Sequence, residues 1–132
     1  MSTAHAGVAA WHAYMNSQCD AALLSAQIAD DAVFHSPVVH TPQEGKAKVM
    51  MYLLAAAKVL GNDSFRYVRE LVDGQDALLE FTAEIDGIKI NGIDLIRFGD
   101  DGKIKDFKVM VRPLKAVNKL WEMMAAQLQA AG

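Results

Sequence analysis

Ile88-Lys89-Ile90-Asn91-Gly92-Ile93-Asp94-Leu95-Ile96-Arg97-Phe98 reads as a β-strand, rich in β-branched residues, with a carboxylate in its middle. Alternation places Ile90, Gly92, Asp94, Ile96 and Phe98 on one face and Lys89, Asn91, Ile93, Leu95 and Arg97 on the other. Asp94 therefore shares the side of Ile96 and Phe98, while the charged Lys89 and Arg97 lie opposite. A carboxyl among apolar neighbours is disfavoured as an anion, so it has a raised pKa or a bound partner. Gly92, two residues earlier on the same face, removes a side chain and leaves room beside the acid. An acid with space beside it is a candidate site.

Outward from this strand, Asp86-Gly87 precedes it and Asp101-Gly102 follows it, both hairpin-turn dipeptides, with Asp73-Gly74 a third. They divide the second half of the chain into strands Ser64–Asp73, Asp76–Asp86, Lys89–Gly99 and Lys103–Arg112. Short polar turns between successive strands mean an antiparallel meander. The last strand offers Phe107, Val109 and Val111 as its inward set, and the second offers Leu79, Phe81, Ala83 and Ile85. On the first, Phe65, Tyr67, Arg69 and Leu71 alternate with Arg66, Val68, Glu70 and Val72; neither set is cleanly apolar, and both parities stay open.

Before Gly61 the apolar period is that of a helix. Val8, Trp11, Met15 and Cys19 mark a helix from about Thr3 to Cys19, with His12 beside the stripe. Asp20 caps a short second helix through Asp30, with Leu23, Leu24 and Ile28 as its apolar face. Ala32-Val33-Phe34-His35 is a short strand, stopped by Ser36-Pro37 because proline biases its predecessor away from the helical region. After a loop through His40 and Pro42, Thr41 or Gln43 starts a helix that runs to about Leu60. Pro113 sits where the first turn of a last helix tolerates it, and Leu114, Val117, Leu120, Trp121, Met124 and Leu128 form its stripe. The expected fold is α+β, in one domain over residues 1–132. A curved antiparallel sheet of four to six strands wraps around the N-terminal helices into a cone with an internal cavity, and a C-terminal helix completes it.

Composition narrows the partners. The hydrophobic fraction of 52% implies an apolar cavity, a subunit interface, or both. Ile93, Leu95 and Met110, with Val68 on one of its parities, make the outer sheet face too apolar for water, so a homodimer through that face is expected. Net charge is −3 with scattered basic residues, which leaves no footprint for nucleic acid. The single Cys19 excludes an intramolecular disulfide and a cysteine-based zinc site, and fits a reducing cytoplasm. No run approaches a membrane span, and Met1 to Ala10 lacks a basic region followed by an apolar core, so a cytoplasmic protein without a membrane partner is expected.

Several of these segments carry a family resemblance. The helix-helix-strand opening, Ala29-Asp30-Asp31-Ala32-Val33-Phe34-His35-Ser36-Pro37, Gly45-Lys46 before a helix, and Gly92-Ile93-Asp94-Leu95-Ile96-Arg97-Phe98 followed by Asp101-Gly102-Lys103-Ile104 resemble the nuclear-transport-factor-2-like superfamily. Within it the chain is similar to SnoaL-like and ketosteroid isomerase-like proteins, from about His5 to Val111. The resemblance implies the cystatin-like cone. It does not select a reaction, because the superfold hosts isomerases, cyclases, hydrolases, dehydratases and non-catalytic members. In ketosteroid isomerases a general-base aspartate precedes the proline of the acid-acid-alanine segment; Ser36 stands there and cannot serve as that base. Counting back to the family's first-helix tyrosine falls on His12, and the family's protonated aspartate is matched by Asp94. One role is kept, one is replaced by another titratable group, and one is lost.

Two functions remain open. The first is acid-base chemistry of isomerase, cyclase, dehydratase or hydrolase type on a small hydrophobic carbonyl-like substrate, with Asp94 and His12 as proton-transfer partners across the cone. The alternative is a non-catalytic module for hydrophobic ligands or dimerisation, in which Asp94 is a structural carboxyl and His12 lies on a helix surface. His35, Ser36, His40, Tyr52, Tyr67, Phe107 and Val111 are the expected substrate-binding residues of the pocket wall. No metal is expected, since the histidines lack metal-ligand spacing and no carboxylate completes a set. No cofactor is expected either: Gly45-Lys46 is not a phosphate loop, and no dinucleotide fingerprint occurs.

Overall fold

A computed structural model of the chain describes residues 3–131; Met1, Ser2 and Gly132, the ends of the span read as one domain, lie outside it. The elements are α1 (Thr3–Asn16), α2 (Ala21–Gln27), β1 (Ile28–His35), β2 (Gln43–Glu44), α3 (Lys46–Leu60), β3 (Arg66–Asp73), β4 (Asp76–Ile85), β5 (Ile88–Phe98), β6 (Ile104–Arg112) and α4 (Leu114–Ala131). The strands form one curved, unclosed sheet in the order β2-β1-β6-β5-β4-β3. The fold is α+β. β3 to β6 form the expected antiparallel meander, and β1 adds to it by pairing parallel with β6, which makes the sheet mixed. No helix among the described residues is long and apolar enough to cross a membrane.

The turn chemistry works as the dipeptides predict. Asp86 and Gly87 both have positive φ, 51° and 78°, and join β4 to β5 in two residues, the backbone sense that matches strand twist. Leu79, Phe81, Ala83 and Ile85 on β4, and Ile90, Ile96 and Phe98 on β5, are buried as the alternation predicts.

β3 follows neither of its two parities throughout. Tyr67 pairs with Phe81 and Arg69 with Glu80, so Val68 is one extra residue, a β-bulge. Before the bulge Tyr67 stands opposite the inward Phe81; after it Glu70 and Val72 stand opposite the inward Leu79 and Ala77. The inward set therefore splices the two alternatives.

Several boundaries differ from expectation, those of the meander strands by only one or two residues. α1 stops at Asn16 because Gln18 and Cys19 take positive φ, 62° and 59°, which ends the helix before Cys19. α2 ends at Gln27, and Ile28 opens β1 rather than closing a helical face. Asp20 caps α2 as expected, accepting from the Ala22 N–H at 2.8 Å. Gln43 and Glu44 pair with Phe34 and Val33 as β2, so α3 starts only at Lys46. On α4, Ala116 and Leu120 are buried, whereas Leu114 and Trp121 face out, Trp121 with 59% of its surface exposed. Lys119 ties this helix to the β4–β5 turn through Asp86, at 2.7 Å.

Two apolar clusters fill the space between sheet and helices, one under α1, α2 and β1, the other under α4 and the far ends of β4 and β5. Tyr67 and Val109 touch both. α1 lies tight on β5: a Cβ on Gly7 would fall 2.3 Å from the Phe98 ring. Gly92 corrects the sequence reading. The room it leaves is taken by Phe81, whose ring would meet a Cβ there at 2.5 Å, with the Met110 carbonyl at 2.7 Å on the other side. Gly92→Ala is therefore expected to overpack the sheet and cost about 1–3 kcal/mol. Equilibrium denaturation measures this, and an unchanged midpoint would contradict the packing.

Candidate functional site

Asp94 is the only buried charged side chain among the described residues, with 6% of its surface exposed. The register of β5 explains why. Asp94 lies between Leu79 of β4 and Val109 of β6, so its immediate cross-strand neighbours are hydrocarbon. Burial pushes its carboxyl up from 3.8 to about 7, against the opposing pull of one hydrogen bond. That bond comes from Tyr67, whose hydroxyl donates to Asp94 Oδ2 at 2.6 Å. Trp11 Nε1 in turn donates to the Tyr67 oxygen at 2.9 Å. The indole fills the acceptor side of the phenol, and the phenol's one proton is directed at the acid. Burial, then the charge of Asp94, raises Tyr67 well above the usual phenol value, so it remains a donor. Asp94 Oδ1 has no hydrogen bond among the described residues.

The acid stands on the wall of a partly open cavity lined by α1, α3, α4, the sheet and the loop after β1. Traced by the centre of a water-sized sphere, its volume is about 80 Å³. One water needs roughly 10–15 Å³ on that measure, so the space is larger than a single solvent molecule requires. Phe34, Leu53, Phe65, Phe81, Phe107, Val109, Leu120 and Met124 make the wall mostly apolar. Besides Asp94, the lining residues that carry a polar side-chain group are few: Trp11, Tyr14, Cys19, Ser36 and Tyr67.

The sequence-expected residues separate into two groups. Asp94, Tyr67, Phe107 and Ser36 share the cavity wall. The Ser36 hydroxyl accepts from the Val38 N–H at 3.1 Å, which shapes the loop after β1. His12, His35, His40, Tyr52 and Val111 are not on that wall. His12 turns to Glu70, with Nε2 at 2.7 Å from Oε1 in a half-exposed pair, so the acid-histidine pair with Asp94 is not formed. The bulge at Val68 brings Glu70 round to α1 and gives the imidazole this nearer carboxylate. His35 pairs with Asp106 at 2.9 Å, while His40 is exposed in the loop. Tyr52 packs on Phe34 at 5.3 Å between ring centroids, and Val111 packs in the second apolar cluster. Trp11, Tyr14 and Cys19 went unassigned in the sequence. The helical stripe marked Trp11 and Cys19 only as core, and Tyr14 stood outside it. Among the described residues no three His, Cys, Asp or Glu side chains come together as a metal-ligand set.

The raised carboxyl has a consequence for stability. Between pH 3.8 and about 7 the folded protein keeps a proton that the unfolded chain has lost. The Asp94 contribution is therefore fully present below the unfolded value, falls as pH rises towards the folded one, and is flat above it. Asp94→Asn removes this dependence. The variant's stability relative to the parent should rise between about pH 4 and about pH 8, by up to about 4 kcal/mol. Parallel denaturation profiles of the two proteins across this range would show that Asp94 is ionised throughout.

The SnoaL-like domain model matches residues 8–107. A crystal structure of a steroid delta-isomerase from Pseudomonas aeruginosa is 39% identical, with 99% of this chain and 95% of that one covered at a TM-score of 0.91. An uncharacterised bacterial protein with a cystatin-like fold from Silicibacter pomeroyi is 30% identical, over 92% of this chain and 84% of that one, at a TM-score of 0.83. An NTF2-like protein of unknown function from Mesorhizobium loti shares the fold at 19% identity, over 84% and 92% of the two chains, at a TM-score of 0.69. No protein with a curated description matches the chain. With most of its length under the domain model and two solved relatives at 30% identity or more, the chain belongs to the SnoaL-like domain family.

Proposed function

We propose that the cavity takes a small, mostly apolar carbonyl-like molecule and that Asp94 exchanges a proton with it. The observation that carries this reading is a lone buried acid, poised at about 7, on the wall of an apolar cavity. General acid-base catalysis is most effective when the group's pKa lies near the working pH, and burial tunes Asp94 in that direction. Tyr67 holds Oδ2, which leaves Oδ1 to face a ligand oxygen or a carbon-bound proton. The similarity to a steroid delta-isomerase supports proton transfer beside a carbonyl as the type of reaction.

Ser36 favours a second reading. At the position where the family resemblance places a general base, this chain has a hydroxyl tied to the Val38 N–H, and His12 is committed to Glu70. A pocket with a single acid also serves a non-catalytic binder. Hydrogen–deuterium exchange at the α-carbon of cyclohexanone separates the two. Under the catalytic reading the protein accelerates exchange in D₂O, the rate rises through an apparent pKa near 7, and Asp94→Asn lowers it by about 100-fold or more. Ligand signals that shift on binding while exchange stays at the buffer rate would give the protein to the second reading.

Pairing of two copies through the outer sheet face belongs to the same proposal, in a cytoplasmic setting suited to the free Cys19. Val68, Leu71 and Met110 are 54%, 57% and 49% exposed there, an unusual concentration of large apolar side chains on one face. Met110→Glu should shift a micromolar solution from dimer towards monomer in light scattering. A parent protein that is already monomeric would remove this part of the proposal.

A further inference from the structure

The cavity wall holds one acid and no base. Among the described residues Asp94 is the only carboxylic acid that lines it, and no Lys, Arg or His does. The other titratable lining residues are Tyr67 on β3, Tyr14 on α1 and Cys19 in the turn after α1; β1, β4, β6, α3 and α4 contribute none. Burial holds both phenols above their usual value, so neither supplies a charge near neutrality. One oxygen of the acid is also open. Asp94 keeps 6% of its surface accessible, and its Oδ1 has no hydrogen bond among the described residues. The partnerless side-chain atoms that are sealed from solvent are Thr3 Oγ1, Tyr14 Oη and Gln27 Oε1; Asp94 Oδ1 is not one of them, so accessible surface reaches it.

The rest of the wall is rich in rings. Trp11 and Phe107 lie 5.0 Å apart between centroids, and Phe65 stands 5.2 Å from both Tyr67 and Phe81. The hydrogen bond from Trp11 to Tyr67 joins the two groups. A cation moved from water into hydrocarbon loses its hydration with nothing in exchange, but a carboxylate and aromatic rings both attract it. An anion finds no such partner on this wall.

We infer that the cavity also binds a small hydrophobic ammonium ion, with its N–H donated to Asp94 Oδ1 and its alkyl groups packed among the rings. A tertiary ammonium suits the site, since its single N–H matches the single open carboxylate oxygen and leaves no donor unmet. The inference rests on the reading of the cavity as a ligand site. It asks for the ionised form of the acid, which a neutral carbonyl compound does not need in order to bind.

NMR titrations of N,N-dimethylcyclohexylamine and cyclohexanone, which share a ring, into the parent protein and Asp94→Asn at pH 6 and pH 8 test this. The amine is a cation at both values, because alkylammonium groups titrate near 10. With the carboxyl at about 7, its ionised fraction rises about tenfold between them, so the parent should bind the amine about tenfold more tightly at pH 8. Cyclohexanone should show no such gain. Asp94→Asn should weaken amine binding at pH 8 by about 30-fold or more, the loss of a buried charge partner, and still bind cyclohexanone. Amine affinity that is flat with pH, or unchanged in Asp94→Asn, overturns the inference. Cyclohexanone binding without amine binding overturns it too, and leaves the carbonyl reading of the cavity intact. Amine binding with the expected pH dependence but without cyclohexanone binding sustains it and removes the carbonyl reading. If neither compound binds the parent, both fall.

Discussion

The hydrogen bond from Tyr67 to Asp94 Oδ2, 2.6 Å long, joins the parts of the molecule that make the cavity. Asp94 belongs to β5 in the centre of the meander, Tyr67 to the edge strand β3, and Trp11, which completes the chain of donors, to α1. A carboxyl between Leu79 and Val109 has hydrocarbon as its cross-strand neighbours, and the phenol is its one side-chain donor among the described residues. The bond therefore constrains the curvature of the sheet: β3 must bend over the inner face far enough for a phenol to reach the second strand in. The bulge at Val68 supplies that bend, since an extra residue increases local twist and turns the strand. The same bulge swings Glu70 inward, where it takes up His12. One inserted residue thus decides both which group the acid meets and which group the histidine meets.

This is also why the sequence disclosed the frame of the site better than its contents. β4 and β5 alternate cleanly, and β6 does so from Phe107 onward, beyond the irregularity opposite Arg97 and Phe98, so these inward sets, Asp94 included, were legible from period two. The turns were legible because Asp-Gly pairs encode positive φ. β3 was not, because a bulge breaks the period and leaves two half-true patterns where one is sought. β2 is two residues long and carries no pattern of its own; only its pairing with Phe34 and Val33 defines it. The expectation for His12 failed for a related reason. Helical spacing places a residue beside a stripe, but a histidine at the stripe's edge goes to the carboxylate that a neighbouring strand presents. Gly92 shows the remaining limit. A missing side chain in a sheet is visible in sequence, but the ring of Phe81 that covers it is not.

The loss of a base at Ser36 and the persistence of the acid at Asp94 are compatible once the local energetics are considered. Two carboxyls in one small cavity divide their work by having different pKa values, one held ionised and one held protonated. With a single carboxyl no such division is available, and the useful value for that group moves towards the pH of its surroundings. Burial between Leu79 and Val109 raises Asp94, and the Tyr67 hydroxyl keeps it from rising further. Without the phenol the carboxyl would lie higher still, and further donors would bring it down. One donor in a hydrocarbon setting leaves both forms populated near neutrality, so the same oxygen pair can release a proton at one moment and accept it at the next. That property is what the proposed proton exchange with a bound carbonyl compound asks of Asp94.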